Sequence, residues 1–409
     1  MISSQEALQL ILNNTQDFGI EEIPFLEATG RVLKEDIKAD RDFPPFHSVR
    51  MDGIAISFNA FAEGKRAFTI ENIQAAGSVK LVLKNPSNCI EVMTGAVLPD
   101  GVNTVIRYED LTITNGIATV NIDTIAEGQN IHEQGKDRKI NDVLIKKNCI
   151  ISPAEIGVFA TVGKSFIKVA KQPRVMIVST GDELVEVSKN PLKHQIRRSN
   201  VYTLVSLLEK LNIQAATAHL TDDKSILKEK ISRFLTTYDV LLFSGAVSKG
   251  KFDFLPQVFD ELGVEKLFHK VKQRPGKPFF FGVADPLSMS GRDEKINKKV
   301  AVFAFPGNPV STFVGCLKYF YPWYKKSVDL VFENHDKAIL AEDFTFKPEL
   351  TCFLQVRLEN KKGLLVAVPV TGNGSGDLAN LSNADAFLEL PDDQTNFKTG
   401  EAFPIIKYR

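Results

Sequence analysis

The sequence predicts a multidomain chain of α/β and β modules, with a doubly wound, mostly parallel α/β sheet at its centre. Three observations carry that prediction. The chain has 409 residues, beyond the roughly 250–300 at which a single hydrophobic core stops growing. From Pro173 onward, apolar runs of strand length alternate with amphipathic helical patterns, the signature of strands joined by crossover helices. Before and after that stretch, short β-rich runs are broken by Gly, Pro, Asn and Asp, as in small β domains. The expected segments are helical at 1–26 and again at 149–172, β-rich at 27–148, α/β at 173–325 and β at 326–409.

The first element is a helix. Ser3 stands three residues before Glu6, a capping-box spacing, ahead of Ala7, Leu8, Leu10, Ile11 and Leu12. The rest of the first 25 residues reads as loop. Strands are expected at 53–56, 67–70, 89–92, 104–106 and 116–120. Ser152 and Pro153 open a helix, with the proline at its first position. Val175 to Val178 is continuously apolar, as for a strand buried on both faces. Asn200 is the expected cap of a helix whose apolar face is Val201, Leu204, Val205, Leu208 and Leu211. A strand at 215–220 follows, then a helix capped by Asp222 or Asp223 and running to about Leu235. Next come a strand at 240–243 and a helix closed by Gly263. Further strands are expected at 267–271 and 301–305, with a last helix from about Val310 to Phe320. The helical pattern is expected to stop after Pro322 and Trp323. A charged stretch at 284–299 reads as a surface loop. The C-terminal strands are expected at 352–358, 364–368, 386–390 and 402–406.

Composition excludes several classes. The 50 basic residues cancel the 50 acidic ones, so the basic footprint of a sequence-independent nucleic-acid binder is missing. No run approaches the ~20 apolar residues that span a bilayer, and no leader pattern precedes the first helix. The expectation is a cytoplasmic chain with no nucleic-acid or membrane partner. Four widely spaced cysteines, Cys89, Cys149, Cys316 and Cys352, fit reduced thiols better than a zinc site or a disulfide framework. The absence of G-x-G-x-x-G after the first strand, of a P-loop and of a G-x-S-x-G elbow disfavours dehydrogenase, P-loop NTPase and hydrolase readings. The histidines form no cluster, and His219 and His269 fall in strands, where a structural role is expected.

In open α/β sheets, ligands bind beyond the carboxyl ends of the strands. Three segments at such ends are rich in small and polar residues: 179–183 (STGDE), 244–250 (SGAVSKG) and 306–311 (PGNPVS). Glycine permits close backbone approach, and free N–H groups with hydroxyls suit phosphate. A fourth segment, 274–278 (RPGKP), carries the cations Arg274 and Lys277. Carboxylates near these loops or beside glycine are Asp52, Asp137, Glu183 and Asp253, oxygen donors that suit Mg²⁺ shared with substrate phosphates. The residues alone therefore indicate a multidomain α/β enzyme that binds a small phosphorylated ligand.

A resemblance takes this further. Residues 43–46 (FPPF) followed by 51–53 (MDG) resemble the N-terminal signature of the molybdopterin molybdenumtransferase (MoeA, gephyrin E-domain) family. Residues 93–96 (MTGA) with 98–101 (LPDG), 135–137 (GKD), 179–184 (STGDEL), 244–248 (SGAVS) with Asp253, 275–278 (PGKP), 306–311 and 374–376 (GSG) resemble its later motifs, in family order along the whole chain. The resemblance implies an elongated four-domain homodimer. Residues 1–26 and 149–172 would form one helical linking domain enclosing the β insertion at 27–148. The α/β domain at 173–325 would bind molybdopterin, and a small β domain at 326–409 would close the chain. The implied reaction inserts molybdate into adenylyl-molybdopterin and releases AMP, assisted by Mg²⁺. Asp52, Glu183 and Asp253 are then expected as catalytic and metal-binding acids, with Asp137 beside them. Thr94, Thr180, Gly181, Ser244, Gly245, Ser248, Arg274, Lys277, Pro306, Gly307, Asn308, Pro309, Ser311 and Ser375 are expected to bind substrate. A molybdopterin-adenylating enzyme and target molybdoenzymes are the implied partners.

The chain departs from the family pattern in places. Residues 47–50 read HSVR where the family has D-x-S-A, which puts Arg50 beside Asp52. Ala246 replaces a glycine, and Lys249 an apolar residue. Lineage drift is the plainer reading of these changes. Two other functions compete. One is a non-catalytic molybdopterin carrier or scaffold, disfavoured by the retained acids. The other is a nucleotide-processing enzyme sharing only the α/β domain, disfavoured by motifs at both ends of the chain.

Overall fold

The computed structural model describes residues 1–245, 247, 254–285, 299–330 and 336–409. The expected surface loop at 284–299 falls almost wholly outside them. The chain divides into two compact units. One comprises 1–35, 148–153 and 166–409, the other 36–147 and 154–165. The helix Pro153–Thr161 thus groups mainly with the inserted β-rich unit.

That unit is organised by a six-stranded sheet in the order Thr104–Arg107, Gly53–Ile56, Cys89–Val92, Ala67–Gln74, Ile117–Val120, Leu111–Thr114. Alternation along one strand feeds both faces. Ile54 and Ile56 pack with Phe61, Phe68 and Ile106, whereas Ala55 packs with Ile90 and Val105 on the other side. Gly53 lies against the neighbouring strand so closely that a Cβ would sit 1.9 Å from the Ile106 carbonyl oxygen. Only glycine allows that approach, and it fixes the chain just after Asp52.

The other unit begins with the helix Ser4–Leu12, where Ser3 and Glu6 form the expected reciprocal cap. Ile20–Pro24 is a strand, not loop, paired antiparallel with Phe166–Ala170. Its partner is far away in sequence, and a five-residue run shows little periodicity on its own.

The central sheet contains strands β1 (Val175–Thr180), β2 (Ala215–Leu220), β3 (Val240–Ser244), β4 (Val264–His269), β5 (Phe280–Ala284) and β6 (Val300–Phe305), in the order β2-β1-β3-β6-β5-β4. β2, β1, β3 and β6 run parallel. β5 is antiparallel to both β6 and β4. The sheet is therefore parallel over four strands and mixed at one side, and β5 is a strand the sequence reading missed. Helices Asn200–Glu209, Lys224–Thr237 and Leu255–Glu261 cover it. Asp223 caps the second of these, accepting from the backbone of Ser225 and Ile226 at 2.9 Å each. Ser199, not Asn200, holds the cap position of the first, with no side-chain cap bond. Gly263 has the positive φ of 70° that ends the third.

The final helical stretch is longer than expected. The helix Pro309–Gly315 passes through a π-turn at Cys316–Phe320 into the helix Tyr321–Ser327. Pro322 lacks an N–H and would collide with the carbonyl one turn back in a regular helix. The wider π-turn ahead of it removes that conflict, so the helix continues.

Residues 337–407 form a closed β structure. Strands Thr351–Lys361, Leu364–Pro369, Lys337–Leu340, Ala402–Lys407 and Ala386–Leu390 pair in sequence around a ring, which the pairing of the first with the last completes. Closure leaves the ring no free edge. Gln273 and Arg274 nevertheless add a short parallel ladder to Thr351 and Cys352, tying the 274–278 loop to this module.

Candidate active site

Register decides where the loops emerge. Ser179 pairs with His219 and Ser244, and Ser244 pairs with Phe305. The glycine-rich segments after β1, β3 and β6 therefore start level with one another at one rim. β5 runs the other way, and Phe280 lies opposite Ala304 and His269. Its entry loop, 270–279, thus reaches the same rim.

Two cavities of the α/β-containing unit lie at that rim. The first, of about 600 Å³, is lined by Thr180, Gly181, Glu183, Ser244, Gly245, Gly307, Asn308 and Pro309, eight of the residues expected from sequence. The second, of about 540 Å³, is lined by Arg274, Lys277, Pro306, Asn308, Ser311 and Ser375. Asn308 borders both.

The backbone is tightly drawn in around the first cavity. A Cβ on Gly245 would lie 3.0 Å from both the carbonyl oxygen and Oγ1 of Thr180, and Gly245 holds φ at 111°. Thr180 is only 4% exposed, and its hydroxyl has no hydrogen-bond partner among the described residues. A buried hydroxyl left unmatched beside a cavity is a donor waiting for a ligand acceptor. Over Gly181, both carboxylate oxygens of Glu183 stand 2.7 Å from the position a Cβ would take. Ser244 receives a 2.7 Å bond from Asn200 Nδ2, which also donates to the Gly307 carbonyl at 2.8 Å. Asn200 thereby ties the loop after β3 to the loop after β6.

The second cavity carries the cations. Arg274 and Lys277 are exposed along it, and the Arg274 guanidinium lies 6.0 Å from the Phe346 ring centre. The loop closes on itself through Val271 N to Lys277 O at 3.0 Å and Lys270 N to Phe279 O at 2.9 Å.

The whole chain resembles known proteins. A model of the MoeA N-terminal region (domain I and II) matches residues 2–163, one of a probable molybdopterin binding domain matches 176–326, and one of the MoeA C-terminal region (domain IV) matches 337–408. A molybdopterin molybdenumtransferase of Synechocystis is 37% identical, with 99% of each chain covered. The chain belongs to the molybdopterin molybdenumtransferase (MoeA) family. A molybdopterin molybdenumtransferase of Staphylococcus aureus is 30% identical, covering 99% of this chain and 95% of its own length. A crystal structure of a molybdopterin biosynthesis moeA protein from Pyrococcus horikoshii superposes with a TM-score of 0.83 at 29% identity, over 100% of both chains.

Three of the site residues expected of a MoeA family member lie in the inserted unit. Asp52 and Thr94 meet there: Asp52 Oδ1 accepts from Thr94 N at 2.6 Å and from Thr94 Oγ1 at 2.7 Å. Those two bonds, the hydroxyl's first, hold the Asp52 carboxyl below the usual aspartate range. Arg50 forms no ion pair with Asp52; its backbone donates to the Asn130 carbonyl. Asp137 Oδ1 lies 3.0 Å from His132 Nε2. Ser248 and Asp253 fall outside the described residues, as do the departures Ala246 and Lys249.

Sequence reasoning missed three residues of the first cavity. Asp222 and Arg198 line it, and Asn200 braces it. Arg198 is held by an ion pair to Glu186, whose other oxygen accepts from Tyr202 at 3.3 Å. The run 197–200 (RRSN) immediately before a helix was the available signal. His219 and His269, expected to be structural, each bond within the fold: the first lies 3.0 Å from Ser179 Oγ, and the second donates to the Val247 carbonyl at 2.7 Å.

Among the described residues no group of three or more His, Cys, Asp or Glu side chains is arranged to hold a metal. Mg²⁺ that arrives with substrate phosphates needs only one or two protein carboxylates. Glu183 and Asp222, both on the first cavity, fit that requirement. No described helix is long and apolar enough to cross a membrane.

Proposed function

We propose that this protein is a molybdopterin molybdenumtransferase, which inserts molybdate into adenylyl-molybdopterin and releases AMP. The observation that carries the reading is the pair of adjoining cavities that share Asn308, one walled by glycine loops and acids, the other by two cations. Each half-site suits a different substrate. The first has the room, the backbone approach and the unmatched Thr180 hydroxyl for a phosphorylated pterin. In the second, Arg274 and Lys277 line the cavity with no carboxylate among its described lining residues, a setting for a small dianion such as molybdate.

The residues then act as follows. Thr180, Ser244 and the backbone at Gly181, Gly245 and Gly307 seat the pterin phosphate. Asn308, between the cavities, orients the ligand toward the oxyanion. Arg274 and Lys277, with Ser311 and Ser375, hold the oxyanion near the acceptor, converting a bimolecular step into a positioned one. Cleavage of the pyrophosphate builds negative charge on the departing phosphate. Mg²⁺ bound with Glu183 would neutralise that charge, and Arg198 lies on the same wall to oppose it. Asp52, held as a carboxylate by Thr94, serves as a further metal-binding or proton-accepting group of the reaction, with Asp137 and Asp253 as additional candidates and Ser248 and Thr94 as ligand donors. The proposal includes the four-part layout set out above, a homodimer, a cytoplasmic location, and exchange of ligand with a molybdopterin-adenylating enzyme and target molybdoenzymes.

Expression in a bacterial strain lacking its own molybdenumtransferase tests the reading. Restored molybdoenzyme activity at ordinary molybdate supply supports it. Molybdoenzymes that stay inactive despite abundant folded protein refute it.

A further inference from the structure

Beneath the loop that carries Arg274 and Lys277 runs a buried polar chain that none of the roles above uses. Gln273 is 1% exposed, Tyr319 0% and Ser4 2%. The Tyr319 hydroxyl donates to Gln273 Oε1, and Ser4 Oγ lies 3.1 Å from the same hydroxyl. Tyrosine has one hydroxyl proton, so once it is given to Gln273 the serine must be the donor to Tyr319. The Gln273 amide nitrogen donates to the Pro275 carbonyl at 3.1 Å and the Gly276 carbonyl at 3.4 Å. The chain therefore has a direction, from Ser4 through Tyr319 and Gln273 to the two peptide groups between the cations.

Every member is anchored in rigid structure. Ser4 opens the first helix, and its neighbour Ile2 is bound to the loop base, with Lys272 N donating to Ile2 O at 2.8 Å. Tyr319 belongs to the π-turn, and its ring stacks on Phe279 at 4.8 Å between centres. Gln273 is clamped by its ladder to Thr351. A Cβ on Gly276 would lie 2.8 Å from Gln273 Nε2, so the amide and the loop backbone fit with no slack. A buried amide of this kind has one satisfying orientation. Losing a partner leaves an unmatched group whose cost drives local rearrangement.

We propose that the Ser4–Tyr319–Gln273 chain is a positioning device that fixes the spacing of Arg274 and Lys277 and thereby sets affinity for the oxyanion substrate. Tyr319 and Ser4 do not line the cavity and act only through Gln273. The inference rests on the reading of the Arg274–Lys277 cavity as the oxyanion half-site. It explains why strongly polar groups are retained in a core that phenylalanine rings otherwise fill.

Calorimetric titration of the full-length protein with molybdate tests it, alongside titration with AMP as a probe of the other half-site. Lys277→Gln tests the underlying reading, and Tyr319→Phe and Gln273→Met test the inference. Tyr319→Phe keeps the ring stacking and removes only the hydroxyl. The expected result is loss of molybdate binding in Lys277→Gln and about tenfold weaker binding in both Tyr319→Phe and Gln273→Met, with AMP affinity and circular dichroism unchanged. If Lys277→Gln loses molybdate while Tyr319→Phe and Gln273→Met bind it as the wild type does, even with lowered melting temperatures, the positioning role is wrong and the half-site stands. If Lys277→Gln still binds molybdate normally, the half-site reading itself fails. Should Tyr319→Phe not fold, Gln273→Met decides.

Discussion

Asn308 donates from Nδ2 to the hydroxyl of Ser375 at 2.7 Å, and the carbonyl of the same serine accepts from Val310 N at 3.2 Å. The pair joins the loop after β6 to a loop of the C-terminal β module, on the boundary between the two cavities. The side chain of Asn308 makes this bridge and does not cap the helix it precedes. The bond lies at the surface, so its expected worth is about 0.5–1 kcal/mol. A double-mutant cycle with Asn308→Ala and Ser375→Ala, read by urea unfolding, should return a coupling of that size. Both single variants should also lose more catalytic rate than stability. Additive stability effects would show that the bridge is incidental.

Asp52 should titrate below the ordinary aspartate value because two Thr94 donors favour its charged form. A carboxyl depressed in this way lends its stabilisation above the unfolded-state value and loses it as pH falls through the folded one. Carbon-13 titration of the Asp52 carboxyl should place its midpoint below 3.8, the unperturbed reference. Thr94→Val should move it back up, since the side-chain bond is the larger cause. A midpoint indifferent to Thr94 would contradict the assignment.

Gly181 and Glu183 make a linked pair of predictions. Glu183→Gln should keep the unfolding midpoint and lose AMP release, because the carboxylate is exposed and structurally unencumbered. Gly181→Ala should lose activity for another reason. Its methyl would enter the space 2.7 Å from the Glu183 oxygens, at a φ of 133° that alanine resists. A stability loss of about 1–3 kcal/mol is expected there. Equal melting temperatures for Gly181→Ala and the parent would argue against the strain.

Asn200→Leu should cost about 1–3 kcal/mol, since it strips a donor from both Ser244 Oγ and the Gly307 carbonyl. Ligand affinity at the first cavity should fall with it. Urea unfolding and AMP titration measure the two effects separately. Unchanged affinity would mean that the two loops hold their places without the brace.

The same asparagine shows where sequence reading reached its limit. Its position before an amphipathic run marked a helix start, which is correct to one residue, but a cap and a cross-loop brace use the same residue type in the same place. Only the register that puts Ser244 level with Phe305 distinguishes them. Three of the four parallel strands, β1, β3 and β6, were legible because each is buried along its whole length and opens on a continuous apolar run, as Val175 to Val178 does. The antiparallel strand Phe280–Ala284 was not, because it follows directly on the 275–278 turn (PGKP) and Gly282 interrupts its short run. For the site, glycine loops and the cations were legible as residue types at strand ends. Arg198 and Asp222 were not, because each reaches the cavity through a short ladder or turn that has no pattern of its own. The division of the expected site into two cavities sharing Asn308 is likewise a product of the fold.

In the proposed reaction, one rim of this sheet brings an adenylated pterin and an oxyanion together for transfer. The most direct measurement is AMP release by the purified protein from adenylyl-molybdopterin, followed with and without molybdate in the presence of Mg²⁺. The expected result is molybdate-dependent AMP release that Glu183→Gln and Lys277→Gln each abolish. A wild-type protein that binds adenylyl-molybdopterin tightly yet releases no AMP when molybdate is added would contradict it.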